Sequence, residues 1–432
     1  MDNVLASVPA RVVVTDDLHR SRLTVFFRLL LAIPHFIWLF LWTVAAIVAA
    51  ILNWFATLVR GQPPQGLYGF LARFVRYATH VNAYLSLAAN PYPAFNGDPG
   101  YPVDVELAPP ARQNRLKVVF RIILAIPAII VAEVFLGTGW NFVGGPSGRA
   151  YYQEGSKFSI AGGVVLGTVS FLAWFACLVR GRMPQGFRNV LAWGIGYLAQ
   201  VAAYVLLLSE RYPNLDAGAT GVLGGQPPRP VRLRIEDDLR RSRVTVFFRL
   251  FLVVPHAVWL VLWGIAVVLA VIANWFATLA LGRSPSALHR FISSYVRYQT
   301  HVYAFLGLVA NPFPGFVGRP ATYPIDLEID PPERQHRLIT LGRLPLAIPA
   351  LLVDSAAASS LLFVTAFLGW FASLATGRMP TGFRNAGAWA LRYGAQVNSY
   401  LYVLTDRYPY SGPESGEEPE AEAGTEPAPL AA

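Results

Sequence analysis

Apolar and polar positions follow three different periods along this chain, and the order of the three recurs four times. Each copy opens with a short alternating segment, at residues 11–15, 103–107, 231–236 and 325–330. Alternation of this kind predicts a half-buried strand. In the second and fourth strands the outward positions are acidic (Asp104, Glu106; Asp326, Glu328), whereas in the third they are Arg232 and Arg234. Opposite charges facing across strands contribute about 0.2–1 kcal/mol per pair, so the strands are expected to assemble into one small extramembrane sheet.

A basic cluster and then a long apolar run follow each strand, covering residues 23–59 in the first copy. As one helix that run measures about 55 Å, nearly twice the hydrocarbon thickness of a bilayer. The run therefore reads as a helical hairpin, with arms at about 29–41 and 44–59, and with Pro34, Pro127, Pro255 and Pro349 kinking the first arm. The second copy carries a Gly-rich polar insertion at about 137–162, containing Arg149, Glu154 and Lys157. Asp354, Ser355, Ser359 and Ser360 stand at the matching place in the fourth, and insertions collect in loops. Gly61, Gly181, Gly282 and Gly377, each with Pro close behind, stop the run. A third, mixed helix comes next, about residues 67–89 in the first copy. Arg73, Arg76 and His80 on one of its faces suit an interfacial helix.

These elements give four repeats of about a hundred residues: 11–97, 101–214, 231–318 and 323–412. A Pro/Gly linker at 214–230 divides them, and an acidic tail at 413–432, which reads as disordered, follows the last. The first and third copies match best, as do the second and fourth, which share Arg-Met-Pro-x-Gly-Phe-Arg-Asn at 182–189 and 378–385. The chain is thus a duplicated pair. A mainly α, integral membrane fold of four parallel repeats is the expectation, with the strands on the cytoplasmic side.

Composition agrees with a membrane class: 54% of the residues are hydrophobic and 14% charged, against about a quarter charged in soluble domains. The formal charge is +10, even with the glutamates of the tail included. If the run is a hairpin and the third helix lies at the interface, every Lys and Arg except Arg149 and Lys157 shares one side. If the run crosses once and the third helix returns, Arg60, Arg182, Arg283 and Arg378 change sides and the bias weakens. The hairpin is preferred on that ground. It gives a multi-pass plasma-membrane protein with both termini cytoplasmic, no cleavable signal peptide at the N-terminus, and anionic headgroups as partners. No nucleic-acid reading motif is present, and protein partners are not identified. Cys177 is the single cysteine, so it forms no intrachain disulfide and reads as a packing residue.

Phe-Arg-x3-Ala-Ile-Pro-His, Trp-Phe-Ala-x-Leu-x-x-Gly-x-x-Pro and a closing Arg/Asn-x-Tyr-Pro recur in this order. Together they resemble a bacterial membrane family, domain of unknown function 4389, over about residues 11–412. The resemblance implies a multi-pass membrane protein and no particular chemistry. The second copy departs from it through its insertion and through Gly196, which stands where the other copies have Arg76, Arg297 and Arg392.

Two sets of residues are functional candidates. His80, Gln200, His301 and Gln396 occupy one equivalent position, three residues after Tyr77, Tyr197, Tyr298 and Tyr393. They suit either a shared polar path or interhelical hydrogen bonds. Arg28, Arg121, Arg249 and Arg343 lie before the prolines and are expected to snorkel to headgroups, as are Arg76, Arg297 and Arg392. Asp16-Asp17 and Glu236-Asp237-Asp238 precede Arg20, Arg22, Arg240, Arg241 and Arg243 and read as partners in local ion pairs. No cofactor, metal-ligand spacing or catalytic constellation appears. The chain thus reads as a non-enzymatic scaffold or bilayer-associated assembly factor, with a transporter or channel as the alternative.

Overall fold

The architecture, a computed structural model describing residues 10–137, 164–217 and 229–413, repeats one unit of strand, outer helix and inner helix. Repeat 1 contains β1 (Ala10–Val14), α1 (Arg22–Phe26), α2 (Arg28–Leu31), α3 (Ile33–Arg60) and α4 (Gln65–Leu85). In repeat 2 these become β2 (Val103–Leu107), α5 (Arg115–Val119), α6 (Arg121–Leu136), α7 (Val164–Arg180) and α8 (Gln185–Val205). Repeat 3 is β3 (Val231–Ile235), α9 (Arg243–Leu281) and α10 (Ser286–Leu306). Repeat 4 is β4 (Ile325–Ile329), α11 (Arg337–Leu341), α12 (Arg343–Val353), a π-helical turn (Asp354–Ala358), α13 (Ser359–Thr376) and α14 (Thr381–Leu401).

In repeats 1, 3 and 4 the long apolar run is not a hairpin. In repeat 3 it is one uninterrupted helix of 39 residues with Pro255 inside it. In repeat 4 the helix passes through the π-turn without reversing. In repeats 1, 3 and 4 the helix continues, past Gly264 and Gly369 in the last two, until Gly61, Gly282 or Gly377 adopts the left-handed conformation that ends it, whereas in repeat 2 α6 ends at Gly137 and α7 at Gly181 in that conformation. The polar insertion of repeat 2 lies outside the described residues. The hairpin that does form pairs each outer helix with the inner helix after it: Arg249 meets Phe305, His256 meets Tyr298, and Trp263 meets Phe291.

Nor are the four repeats parallel. Arg22 at the start of repeat 1 donates to the Val179 carbonyl at the end of the repeat 2 outer helix, and Arg115 returns the bond to Val59. Arg243 with Ala375 and Arg337 with Ala280 repeat the exchange in the second half. The outer helices of repeats 1 and 2, and those of repeats 3 and 4, are therefore antiparallel. The outer helices of repeats 2 and 4 also run antiparallel, α6 beside α13 and α7 beside α12. The order across the layer is 1-2-4-3; beneath it the inner helices pair 1 with 2 and 3 with 4, and Trp193 and Trp389 join 2 to 4.

Among the described residues the expected single sheet is two. β1 pairs antiparallel with β2 and β3 with β4, each ladder joining neighbouring repeats. Basic does face acidic: Arg11 lies opposite Glu106, Arg232 opposite Glu328 and Arg234 opposite Asp326. Each sheet closes over the inner helices of its own two repeats, so only a two-stranded ladder is required on each side.

The halves meet at a pseudo-two-fold axis. Trp193 and Trp389, at equivalent positions of α8 and α14, lie with ring centroids 5.2 Å apart. Their indoles donate to the carbonyls of Leu215 and Ser411, again equivalent. Gly186 is the space into which Tyr410 and Ser411 fit, and Gly382 does the same for Asn214 and Leu215.

Candidate functional site

Three layers result, and their surfaces differ in chemistry. The inner helices are buried nearly all round and carry little exposed surface. On one side of α10, Phe291, Tyr295, Tyr298 and Phe305 face the outer helix α9. From the opposite side Arg297 and His301 reach β4. The outer helices present the molecule's apolar face: Leu250, Phe251, Val261, Leu269 and Phe276 of α9 are exposed along its whole length, and Ile37, Phe40, Ile47 and Phe55 do the same on α3. Of their most hydropathic windows, 17% is buried in repeats 1 and 3 and 28% in repeat 4, as expected if 1 and 3 are the edges of the layer. Three of these helices are long and apolar enough to cross a membrane: 28–60, 243–281 and 343–376. On the far side, the sheets expose charge, with Arg234 pairing to Glu236 and Arg232 to Glu328 and Asp330.

The arginines before the prolines turn inward. Arg28, Arg121, Arg249 and Arg343 are all at most 2% exposed, which leaves no surface for a headgroup. Arg28 donates to the carbonyls of Tyr84 (2.6 Å) and Ala89 (3.0 Å) and lies over the Tyr84 ring. Arg249 does the same with Phe305 and Ala310, and Arg343 with Tyr400 and Thr405. Arg121 reaches Ser209 and Gln113 and stacks on Tyr204. Each guanidinium thus caps the C-terminal end of the neighbouring inner helix, where unpaired carbonyls carry partial negative charge. That end is built around a non-glycine residue with positive φ: Leu87, Leu207, Leu308 or Val403. A second set of donors holds the carbonyl of that residue. Arg20 and Arg241 bind Leu87 and Leu308, and Gln113 and Gln335 bind Leu207 and Val403. Asp16 and Asp237 pair with those two arginines at 2.7 and 2.8 Å, so of the five nearby arginines it is Arg20 and Arg241 that form the expected local ion pairs.

Arg76, Arg297 and Arg392 are also turned inward, to carbonyls of Val105, Leu327 and Gly412. His80 and His301 contact Asp104 and Asp326 of the following repeat's strand at 2.9 and 2.8 Å. Burial would raise these two carboxyls. The hydrogen bonds from the imidazoles and from neighbouring backbone N–H groups outweigh it and hold both below their ordinary range. Gln200 accepts from the Asn214 N–H, and Gln396 accepts from the Tyr410 N–H and donates to the Val231 carbonyl. The four polar side chains are therefore each engaged with a strand or a closing loop. A cavity of about 470 Å³ lies between repeats 3 and 4, lined in part by Gln299, Tyr303, Asp354, Ser359 and Asn398. None of the four lines it.

The Trp-Phe-Ala motif acquires a partner that sequence reading does not supply. The indoles of Trp54, Trp174, Trp275 and Trp370 donate to the carbonyls of Val118, Val25, Thr340 and Val246, each in the paired repeat. Tyr77 and Tyr298 meet His35 and His256 at 2.7 Å, whereas Tyr197 and Tyr393 donate to the backbone at Ala128 and Ala350, the residues that replace those histidines. Cys177 is buried beside Met183.

No curated protein and no solved structure matches the chain. A family profile described as a domain of unknown function (DUF4389) does match, at residues 22–96, 158–215, 243–317 and 337–411. The first, third and fourth segments hold an outer helix with its inner helix and the second holds α7 with α8, so the arginine bonds, indole bonds and sheets that join neighbours are links between copies of one module, and the chain belongs to the DUF4389 family as four repeats of it.

Proposed function

We propose that the protein is a non-enzymatic scaffold, or bilayer-associated assembly factor, held at a membrane by its outer helices. The observation that carries this reading is the one-sided layer of exposed apolar residues on α3, α9 and their counterparts, backed by a charged opposite surface. An apolar surface of that extent on a soluble monomer marks an interaction site. Arg60, Arg182, Arg283 and Arg378 lie exposed at the helix ends, where anionic headgroups are the matching charge. A polar path through the repeats has less support, because His80, Gln200, His301 and Gln396 already have partners in strands and loops.

Vesicle flotation tests the proposal. The purified chain is expected to float with phosphatidylcholine vesicles and to prefer those containing phosphatidylglycerol. Replacing the four exposed arginines by Glu is expected to remove the preference and retain binding. A wild-type chain that stays at the bottom of the gradient with both vesicle types overturns the proposal.

A further inference from the structure

We infer that the outer helices lie flat within one leaflet, with their axes in the membrane plane, and do not cross the bilayer. This rests on the membrane attachment proposed above and names its geometry. The partner is the acyl-chain region of a single leaflet, with headgroups around the rim of the layer.

The course of the chain between repeats carries the argument. The inner helix of repeat 1 ends near Leu85, beside Arg28 at the start of the outer helix. By Gln113 the chain has returned to the far end, where the Gln113 N–H donates to the carbonyl of Gly61. It makes this return without a helix, through the closing loop and β2. The same return occurs in repeat 3, through β4, to the Gln335 N–H bond with Gly282. Were the outer helices upright, the loops and both two-stranded sheets would stand at bilayer depth. Each sheet has only two strands, so both strands carry an open edge. Backbone groups at an open edge facing lipid cost several kcal/mol each, which is why irregular backbone and open sheets are not found against hydrocarbon. The sheets also carry exposed charge at mid-length of the inner helices: Arg234 and Glu328 are about half exposed, and Arg297 and His301 bind the middle of β4. Laid flat, the same three layers place the outer helices in hydrocarbon and both sheets in water.

Length and charge agree. Helix α9 has 39 residues, about 58 Å at 1.5 Å per residue, against about 30 Å of hydrocarbon. Its exposed apolar positions continue from Val244 to Leu281. Because neighbours are antiparallel, each edge of the layer gathers arginines from both kinds of helix end: Arg22 meets the end bearing Arg180, and Arg115 the end bearing Arg60. Upright, that arrangement divides the basic residues between two aqueous sides, against the one-sided bias of membrane proteins. Flat, both edges reach the same headgroup plane. The pseudo-two-fold axis at Trp193 and Trp389 then stands along the membrane normal.

Depth and sidedness test this in the full chain with Cys177→Ser. A fluorophore placed in turn at Leu250, Val261 and Phe276 is read against phospholipids brominated at different acyl positions. Equal depth at all three, within one leaflet, is expected. A deeper Val261 flanked by two shallow ends overturns the inference. In sealed vesicles of one orientation, Ser242→Cys and Ser286→Cys, at opposite ends of α9, are expected to react with an impermeant maleimide from the same side, together with Glu328→Cys. Reaction of one end only, the other requiring detergent, also overturns it. Either outcome leaves membrane attachment intact. Failure to float with vesicles, including as a soluble assembly of copies that hide the apolar face in one another, removes the attachment and this geometry together.

Discussion

Trp275 illustrates how much one side chain fixes between repeats. Its indole donates to the carbonyl of Thr340, a residue buried in the neighbouring repeat. Trp275→Phe keeps the ring but orphans that carbonyl, so a loss of about 1–3 kcal/mol is expected, read from denaturant melts in detergent. Asp104 and Asp326 give the acid response. Their carboxyls titrate below the ordinary value of 3.8 when folded, so the stability they contribute is present above that pH and is lost as pH falls through the depressed values. Melting temperature is expected to drop below about pH 4, and the double substitution Asp104→Asn, Asp326→Asn to flatten that limb. An unchanged limb would assign the acid response to other groups. The recurrence of these residues was legible in the sequence; their partners were not, because donor and acceptor are often separated by 65 positions or more. Arg28 and its three counterparts misled for a related reason. An Arg beside an apolar run has two ways to satisfy its charge, the headgroups or the carbonyls of a helix end, and only the folded chain brings the helix end within reach.

Among the elements, the strands, the ends of the apolar runs and the inner helices were predictable near their observed limits, since period and stop signals are local. What failed was the inference from length. A run of 39 residues demands a fold-back only if it must stand upright in a bilayer about 30 Å thick. The glycines that close the loops are a sharper constraint. Gly318 has φ +60° and its missing Cβ lies against the Ser294 carbonyl, as Gly97 lies against that of Arg73. Gly318→Ala is expected to cost at least about 1–2 kcal/mol from the left-handed conformation alone, with further loss from displaced backbone. Gly315→Ala, which meets open space, is the control, and thermal melts compare the two.

For the whole molecule, the duplication was visible as paired motifs, yet the antiparallel relation of neighbours was not, because sequence repeats carry no sign of direction in space. Among the described residues, the two halves touch chiefly through repeats 2 and 4, around Trp193 and Trp389. Trp193 is 1% exposed, and Trp193→Ala is expected to cost about 3–5 kcal/mol. If the chain is cut between residues 217 and 229 and the halves are co-expressed, a tag on one is expected to retain the other. Trp193→Ala should diminish that recovery; undiminished recovery would place the strength of the contact elsewhere.

The exchanged bonds between neighbours have a consequence for synthesis. While repeat 1 leaves the ribosome, β1 has no partner, Arg22 awaits Val179 and the Val59 carbonyl awaits Arg115. A nascent chain therefore carries one exposed apolar helix for the time taken to make another whole module, and the smallest unit able to close is two modules. A gene encoding a single module would yield a polypeptide that meets the same demands only by embracing a second molecule, each giving the other an arginine, an indole and a strand.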